Sequence, residues 1–237
     1  MSLELNKRQI AMLAEMGVRV WSPPQMRVQV TETEKIAQLD SRAESIQPVV
    51  PSTWDGLEAA VRSCRTCGLC GQDNGAWSLP LARTASWMVV LDMPAGAGAI
   101  NADEEQLLDG MLKSVGRSRS GEGEQGAYVT AAVKCRPSSG KGPGEAEIEA
   151  CRAHLRQEVG LLQPRVILGL GRYAARALIS TLQPLGALRG HVHRFEGVPV
   201  VVTYPVAYLL RHPLEKAKAW ADLCLAAETG IRRDFMI

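Results

Sequence analysis

This sequence has no long hydrophobic run and carries little net charge. No stretch of about 18 or more apolar residues occurs. The N-terminus is polar, with Glu4, Asn6, Lys7 and Arg8 where a secretion signal would carry its apolar core. We therefore expect neither a membrane span nor a secretion signal, and we predict a cytoplasmic protein. Because the net charge is only +2, any nucleic-acid partner would have to be bound by a local basic patch.

Apolar runs of strand length alternate with segments of helical periodicity along most of the chain. The predicted strands cover 86–92, 127–133, 165–170 and the second half of a hairpin at 194–204. The predicted helices cover 54–62, 103–115, 145–162, 171–181 and 214–228. In the last helix we expect Trp220, Leu223 and Leu225 to face inward. This alternation predicts an α/β protein with three α/β/α layers and a mainly parallel central sheet.

The chain is predicted to have four parts, at residues 1–24, 25–53, 54–230 and 231–237. The first part contains an amphipathic helix of about three turns that ends near Gly17. The second is a polar linker flanked by prolines, the third is the α/β domain, and the fourth is a tail. A helix this short is marginal in water. Its apolar face therefore packs either on its own domain or, if the linker is flexible, on a partner protein.

Four of the six cysteines form a set with the spacing of metal ligands. Cys64 and Cys67 make a C-x-x-C pair, and Cys135 and Cys151 bracket a basic loop and the start of a helix. In a reducing compartment such cysteines indicate metal ligands or reactive thiols rather than disulfides. Four thiolates can hold either a tetrahedral zinc ion or a cubane iron–sulfur cluster, and the spacing leaves both open. The remaining two are predicted to be packing thiols: Cys70 and Cys224.

Several stretches of the α/β part carry a resemblance to a known family. They are GAYVTAAVKCRP, EIEACRAHLRQEVGLLQPRVILGLGRYAARALI, LRG at 188–190, VTYPVAYLLRHP and KAKAWADL. These stretches resemble the iron–sulfur uracil-DNA glycosylases of the family 4 type, over roughly residues 57–228. The resemblance implies a uracil-DNA glycosylase-like fold. It also implies that Cys64, Cys67, Cys135 and Cys151 hold a [4Fe–4S] cluster, with zinc as the alternative metal.

The sequence departs from that family at the positions that the resemblance marks as catalytic. Residues 91–95 stand in place of G-E-x-P-G and keep only a carboxylate, Asp92, which we expect to cap the next helix along the chain rather than act as a base. Ala131 replaces the asparagine that reads uracil, Pro205 replaces the histidine that stabilises the leaving base, and the loop after Asp92 lacks the stacking phenylalanine. Single losses of this kind cost on the order of a hundredfold in rate. The four together predict a pseudoenzyme without catalytic residues.

The N-terminal stretch MLAEMGVRVWSPP resembles the start of the psi subunit of bacterial DNA polymerase III. In that subunit an L-x-x-[LM]-G-[IV]-x-x-W segment docks on the clamp-loader collar. The resemblance and the helical periodicity together imply a partner-binding segment made of Ile10, Leu13, Met16, Gly17, Val18, Val20 and Trp21. A buried tryptophan commonly dominates such an interface.

The sequence thus predicts a non-catalytic, psi-like accessory subunit associated with the replisome. Its N-terminal segment would bind the tau/gamma collar of the clamp loader, and its α/β domain would meet the chi subunit and, through chi, the single-stranded-DNA-binding protein. Two alternatives stay open. One is an active DNA glycosylase with altered specificity that uses Asp92 and a histidine not aligned with the family, for which His191, His193 and His212 are the candidates. The other is a DNA-damage sensor that binds phosphates through Arg136, Arg189 and Arg211 without cutting.

Overall fold

The computed structural model describes residues 53–69, 80, 83–94, 102–136 and 142–232. All of them belong to one compact unit, Val49–Ile237. The predicted N-terminal part, nearly all of the linker, Cys70 and most of the predicted tail lie outside the described residues.

Helices and strands alternate along the described chain. The strands are β1 (Trp87–Leu91), β2 (Ala127–Ala131), β3 (Val166–Leu170), β4 (Val192–Phe195) and β5 (Val198–Thr203). The helices are α1 (Trp54–Ser63), α2 (Ala102–Ser114), α3 (Glu145–Leu162), α4 (Arg172–Ile179), α5 (Leu185–Leu188), α6 (Val206–Arg211) and α7 (Lys216–Arg232). The short helices α5 and α6 were not predicted. In the described part of the chain, no helix combines the length and the apolar character that crossing a membrane requires.

The five strands form one sheet in the order β2-β1-β3-β5-β4. The pairs β1–β2, β1–β3 and β3–β5 are parallel, and β4 pairs antiparallel with β5. The hairpin between β4 and β5 turns at Glu196 and Gly197, which both have positive φ, as a two-residue hairpin turn requires. The predicted α/β fold with a mainly parallel central sheet flanked by helices is confirmed.

The sheet is covered on both faces, which explains why its parallel strands are continuously apolar. In β1, Met88 and Val90 enter the core that the sheet shares with α3 and α4. Trp87, Val89 and Leu91 enter the opposite core, which contains residues of α2, α6 and α7. Successive side chains of a strand point to opposite faces, so each strand feeds both cores. The carboxyl ends of the parallel strands all lie at the same edge of the sheet.

The inward face of α7 differs from the prediction at one large residue. Leu223 is buried, as expected, together with Ala219 and Ala226, whereas Trp220 is 48% exposed. At about 100° per residue, positions 219, 223 and 226 form one stripe that faces the sheet, and position 220 lies at the flank of that stripe. The prediction that Trp220 faces inward is therefore wrong.

Candidate active site and cysteine site

A cavity of about 350 Å³ lies where the parallel strands end. The part of its lining at the strand ends consists of Leu91 to Pro94 at the end of β1, Arg136 beyond β2, Leu170 at the end of β3 and Pro205 to Ala207 after β5. Helices contribute the rest, namely Glu104 and Leu108 of α2, Arg172 and Tyr173 of α4, and Arg211 of α6. The crevice at the carboxyl ends of parallel strands is where α/β sheets bind ligands. The volume is in the range of small-molecule sites.

Asp92 is held at the wall of this cavity by the start of α4. Its Oδ1 accepts hydrogen bonds from the backbone N–H groups of Tyr173 at 2.8 Å and Ala174 at 2.9 Å. Gly171, with φ +116°, lets the carboxylate come this close, since a Cβ there would lie 2.3 Å from Asp92 Oδ2. Asp92 therefore caps α4 and not α2, the next helix along the chain, so the prediction was right about a cap and wrong about the helix.

Burial raises the pKa of Asp92 to about 6, against an ordinary value of 3.8. The backbone hydrogen bonds from Ala174 and Tyr173 and the positive charge of Arg172 lower the pKa, but they do not offset the loss of water. A carboxyl group that titrates this close to neutrality inside a cavity is typical of a general base. Asp92 therefore combines a structural contact to the start of α4 with a raised pKa.

Tyr173 and Arg172 both contribute to the lining of the cavity, where the Tyr173 side chain is largely buried and the Arg172 side chain is exposed. The Arg172 guanidinium lies 4.5 Å from the centroid of the Tyr173 ring and donates a hydrogen bond to its hydroxyl. Neither residue was singled out from the sequence. The signal was available in GRY at 171–173, because these residues directly follow a predicted core strand, at the edge where ligands bind.

The structure brings together the motif positions that the family resemblance marks as catalytic. Asp92 and its neighbours after β1 face the same cavity as Pro205 and its neighbours after β5. Ala131, at the asparagine position, is buried at the end of β2. The replacements at Asp92, Ala131 and Pro205 therefore fall at or just after the ends of β1, β2 and β5, whereas the loop in which the phenylalanine was expected lies outside the described residues.

His191, His193 and His212, the candidate substitutes for the replaced histidine, are not among the residues that line this cavity. A ring nitrogen of His191 is 2.9 Å from the Arg189 carbonyl oxygen, and a ring nitrogen of His193 is 2.9 Å from that of Leu188. His212 is exposed and stacks on Tyr208, with ring centroids 4.3 Å apart. We therefore assign none of them a part in the chemistry of the cavity.

The four cysteines predicted as ligands form two parts of one set, the C-x-x-C pair Cys64 and Cys67, and the pair Cys135 and Cys151. Cys64 follows directly after α1, with Cys67 three residues further along, and Cys135 lies beyond β2. Cys151 sits in the second turn of α3, where it is buried in the core. Its thiol accepts a hydrogen bond from the backbone N–H of Lys134, the residue before Cys135.

Burial raises the pKa of the Cys151 thiol to about 11. The backbone N–H and the charge of Lys134 lower this pKa, and the thiols of Cys67 and Cys64 raise it further. The thiols of Cys64 and Cys67 are therefore within electrostatic range of the Cys151 thiol. A thiol with a raised pKa is protonated at neutral pH unless a cation, such as a metal, favours the thiolate.

The donor chemistry of this set fits a thiolate-bound metal group. All four side chains supply sulfur, a soft ligand that favours zinc and iron–sulfur clusters. Within the described residues, no three histidine, cysteine, aspartate or glutamate side chains lie close enough together to hold a single metal ion. The assignment of the four cysteines as ligands stays a prediction.

Fold and site together define an α/β protein with a ligand cavity at the carboxyl edge of a mainly parallel sheet. Residues 82–224 match the model of the uracil DNA glycosylase superfamily, which is more than half of the chain. The chain belongs to this superfamily.

Comparison with individual curated relatives shows which types of uracil-DNA glycosylase the chain is similar to. The chain is 34% identical over 132 residues to a type-4 uracil-DNA glycosylase of Pyrobaculum aerophilum, an alignment that covers 52% of this chain and 67% of the relative. It is 30% identical over 116 residues to the type-4 enzyme of Archaeoglobus fulgidus, covering 46% and 56% of the two chains. Identity to a type-5 uracil-DNA glycosylase of Thermus thermophilus is 41% over 71 residues, 30% of each chain.

These comparisons contradict the predicted non-catalytic, psi-like subunit. The relatives are named as uracil-DNA glycosylases and point to an enzyme, and nothing in the comparisons indicates a clamp-loader subunit. The prediction inferred loss of function from the replaced motif residues, whereas the fold retains a carboxylate with a raised pKa in a cavity at the motif positions. The predicted partner segment that contains Trp21 lies outside the described residues, so its binding role is untested.

Proposed function

We propose that this chain is a DNA glycosylase of the iron–sulfur uracil-DNA glycosylase type with an altered base specificity. The observation that carries the proposal is the placement of Asp92 in a cavity lined by the motif positions after β1 and β5. The named activity of the relatives supports it.

Asp92 is assigned to the bond-breaking step. When the bond between sugar and base breaks, the base leaves with the electron pair and positive charge develops on the sugar. A carboxylate in a site of low dielectric stabilises that charge and can take a proton from the water that adds to the sugar carbon. With a pKa of about 6, the Asp92 carboxyl is mostly in the required ionised form at neutral pH.

We assign Tyr173 the role of contacting the extruded base. A glycosylase extrudes its target nucleotide and holds the base against an aromatic face. Tyr173 lines the cavity and its backbone N–H binds Asp92, so a base against this ring would have its sugar near the carboxylate. The ring thereby takes the part of the absent phenylalanine.

Three arginines around the cavity are suited to bind the phosphates of the DNA backbone. Arg136, Arg172 and Arg211 all contribute to its lining, and Arg172 and Arg211 are exposed. Guanidinium groups at the mouth of such a site neutralise phosphates and orient the strand. Arg189 has another role, because it is 2.6 Å from Asp222 in a largely buried ion pair.

The altered specificity follows from Ala131 and Pro205. Alanine at the asparagine position has no side-chain group that could read the Watson–Crick edge of uracil, and proline at the histidine position has no proton to donate to a departing base. The cavity should therefore favour a base that leaves more readily than uracil.

Cys64, Cys67, Cys135 and Cys151 are assigned as the ligands of a [4Fe–4S] cluster, which would supply a structural cross-link between the segments it joins. Visible absorbance, together with iron and sulfide analysis of the purified protein, tests this assignment. A colourless protein with one zinc ion per chain would overturn it.

The decisive experiment measures base excision from duplex and single-stranded DNA that carries uracil, hypoxanthine, xanthine or a mismatch. The wild-type protein should excise at least one of these bases, and Asp92→Asn should lower the rate by about 100-fold or more. Asp55→Asn, which changes an exposed carboxylate on α1, is the matched control. DNA binding without excision would favour the damage-sensor alternative, and excision unaffected by Asp92→Asn would refute the assigned mechanism.

A further inference from the structure

Lys134 and Glu158 form an ion pair in the interior of the domain. Their Nζ and Oε2 atoms are 2.7 Å apart, and the side chains are 1% and 0% exposed. Taking two charges out of water is costly, and a buried pair of this kind often stabilises a fold no better than well-packed apolar residues would. The proposed chemistry of the cavity does not use this pair.

The pair belongs to a closed set of hydrogen bonds. Lys134 Nζ also donates to Thr130 Oγ1 at 2.7 Å and to the Ala131 carbonyl oxygen at 2.9 Å. Glu158 Oε1 accepts from the Thr130 hydroxyl at 2.9 Å and from the Tyr128 hydroxyl at 3.0 Å. The ammonium group thus uses all three of its protons, and both carboxylate oxygens have donors. A network satisfied in this way is rigid.

This network reaches both parts of the cysteine set. Lys134 directly precedes Cys135, and its backbone N–H donates to the Cys151 thiol. Glu158 lies about two turns after Cys151 on α3. The Tyr128 ring lies 5.3 Å from the ring of Trp54, the first residue of the helix that leads to Cys64.

We propose that the Lys134–Glu158 pair is a positioning device for the metal group held by the four cysteines. It fixes the segment that follows β2 against α3 and so sets the distance between Cys135 and Cys151. It also places a fixed positive charge beside thiolates that would otherwise repel one another. This inference rests on the proposed cluster, and the competing explanation is that the network stabilises the core alone.

The test compares holoproteins that carry Lys134→Met, Glu158→Gln or the double change Lys134→Met/Glu158→Met. For each protein we would measure iron per chain, the rate at which a chelator removes visible absorbance, the midpoint potential of the cluster and the unfolding temperature. Arg189→Met/Asp222→Met is the matched control, because it removes an ion pair that is also largely buried, with side chains 11% and 3% exposed.

The double change separates positioning from stability. Replacing both charges by apolar side chains should restore most of the unfolding temperature that each single change loses. Cluster loss should nevertheless be about 10- to 100-fold faster than in the wild type, as for other groups that orient metal ligands. Lys134→Met should lower the midpoint potential and Glu158→Gln should raise it, because the reduced cluster carries more negative charge.

Two results would overturn the inference. If the double variant keeps its cluster as long as the wild type and the control do, with an unchanged potential, then the pair acts on stability alone. If the wild-type protein holds no iron, the cluster itself is refuted and this inference falls with it. Both results are independent of whether the protein excises bases.

Discussion

Asp92 is the residue on which the proposed chemistry depends. The sequence identifies it as a carboxylate that directly follows a core strand. Its environment could not be predicted in the same way, because the two N–H groups that it accepts from lie 81 and 82 residues further along the chain. The raised pKa results from packing between distant segments, which no local pattern encodes.

Asp92→Asn should stabilise the protein at neutral pH. The pKa of this carboxyl is raised from 3.8 to about 6 on folding, so the protonated form favours the folded state. That stabilisation is fully present below about pH 4 and is lost as the pH rises through about 6, at a cost on the order of 2–3 kcal/mol. Asparagine retains the acceptor oxygen and does not ionise.

Urea unfolding of both proteins between pH 4 and pH 8 checks this prediction. The stability advantage of Asp92→Asn over the wild type should grow between pH 4 and pH 7 and then level off, and the measurements at low pH serve as the control. A difference in unfolding free energy that does not change with pH would contradict it.

At the scale of elements, the connection from β3 to α4 decides how the site is built. Leu170 ends a fully buried strand, Gly171 turns the chain with a φ of +116°, and Arg172 begins the helix that binds Asp92. The sequence predicted this strand and this helix because their apolar patterns are local. The close approach of Asp92 to the glycine was not predictable, because it arises only when β1 and β3 pair side by side.

Gly171→Ala should destabilise this connection by roughly 3 kcal/mol or more. A side chain there is strained at positive φ, and its Cβ would lie 2.3 Å from the Asp92 carboxylate. Thermal unfolding measures the loss, and excision should fall with it because Asp92 is displaced.

Gly160→Ala is the matched control for that change. Gly160 lies inside α3, where an added Cβ meets nothing within 4 Å, so alanine should be neutral or stabilising by up to about 1 kcal/mol. Equal effects of the two substitutions would refute the role given to Gly171.

On the scale of the whole molecule, the cysteine set connects segments that are distant in sequence. The C-x-x-C pair after α1 and the pair at Cys135 and Cys151 are separated by β1, α2 and β2. A metal group that joins them would close a long loop of the chain. Such a cross-link lowers the entropy of the unfolded chain. For a loop of this length, this stabilises the folded state by roughly 4 kcal/mol.

Cys151→Ser should therefore lower both the iron content and the free energy of unfolding, the latter by several kcal/mol. Elemental analysis and urea unfolding provide the two measurements. Cys224→Ser is the control, because Cys224 is a half-buried residue of α7 outside the set and its loss should leave the iron content unchanged. Full iron occupancy in Cys151→Ser would contradict the ligand assignment.

The sequence by itself determined the α/β class and the core strands, because apolar periodicity is a local property of a chain, and its resemblance to the glycosylase family marked the motif positions. It did not predict that Trp220 lies at the surface, nor that Tyr173 and Arg172 share a cavity with Asp92. Only the tertiary structure decided these points. Exposure depends on where a helix meets the sheet, and the pKa of Asp92 depends on which distant groups surround the carboxylate once the strands have paired.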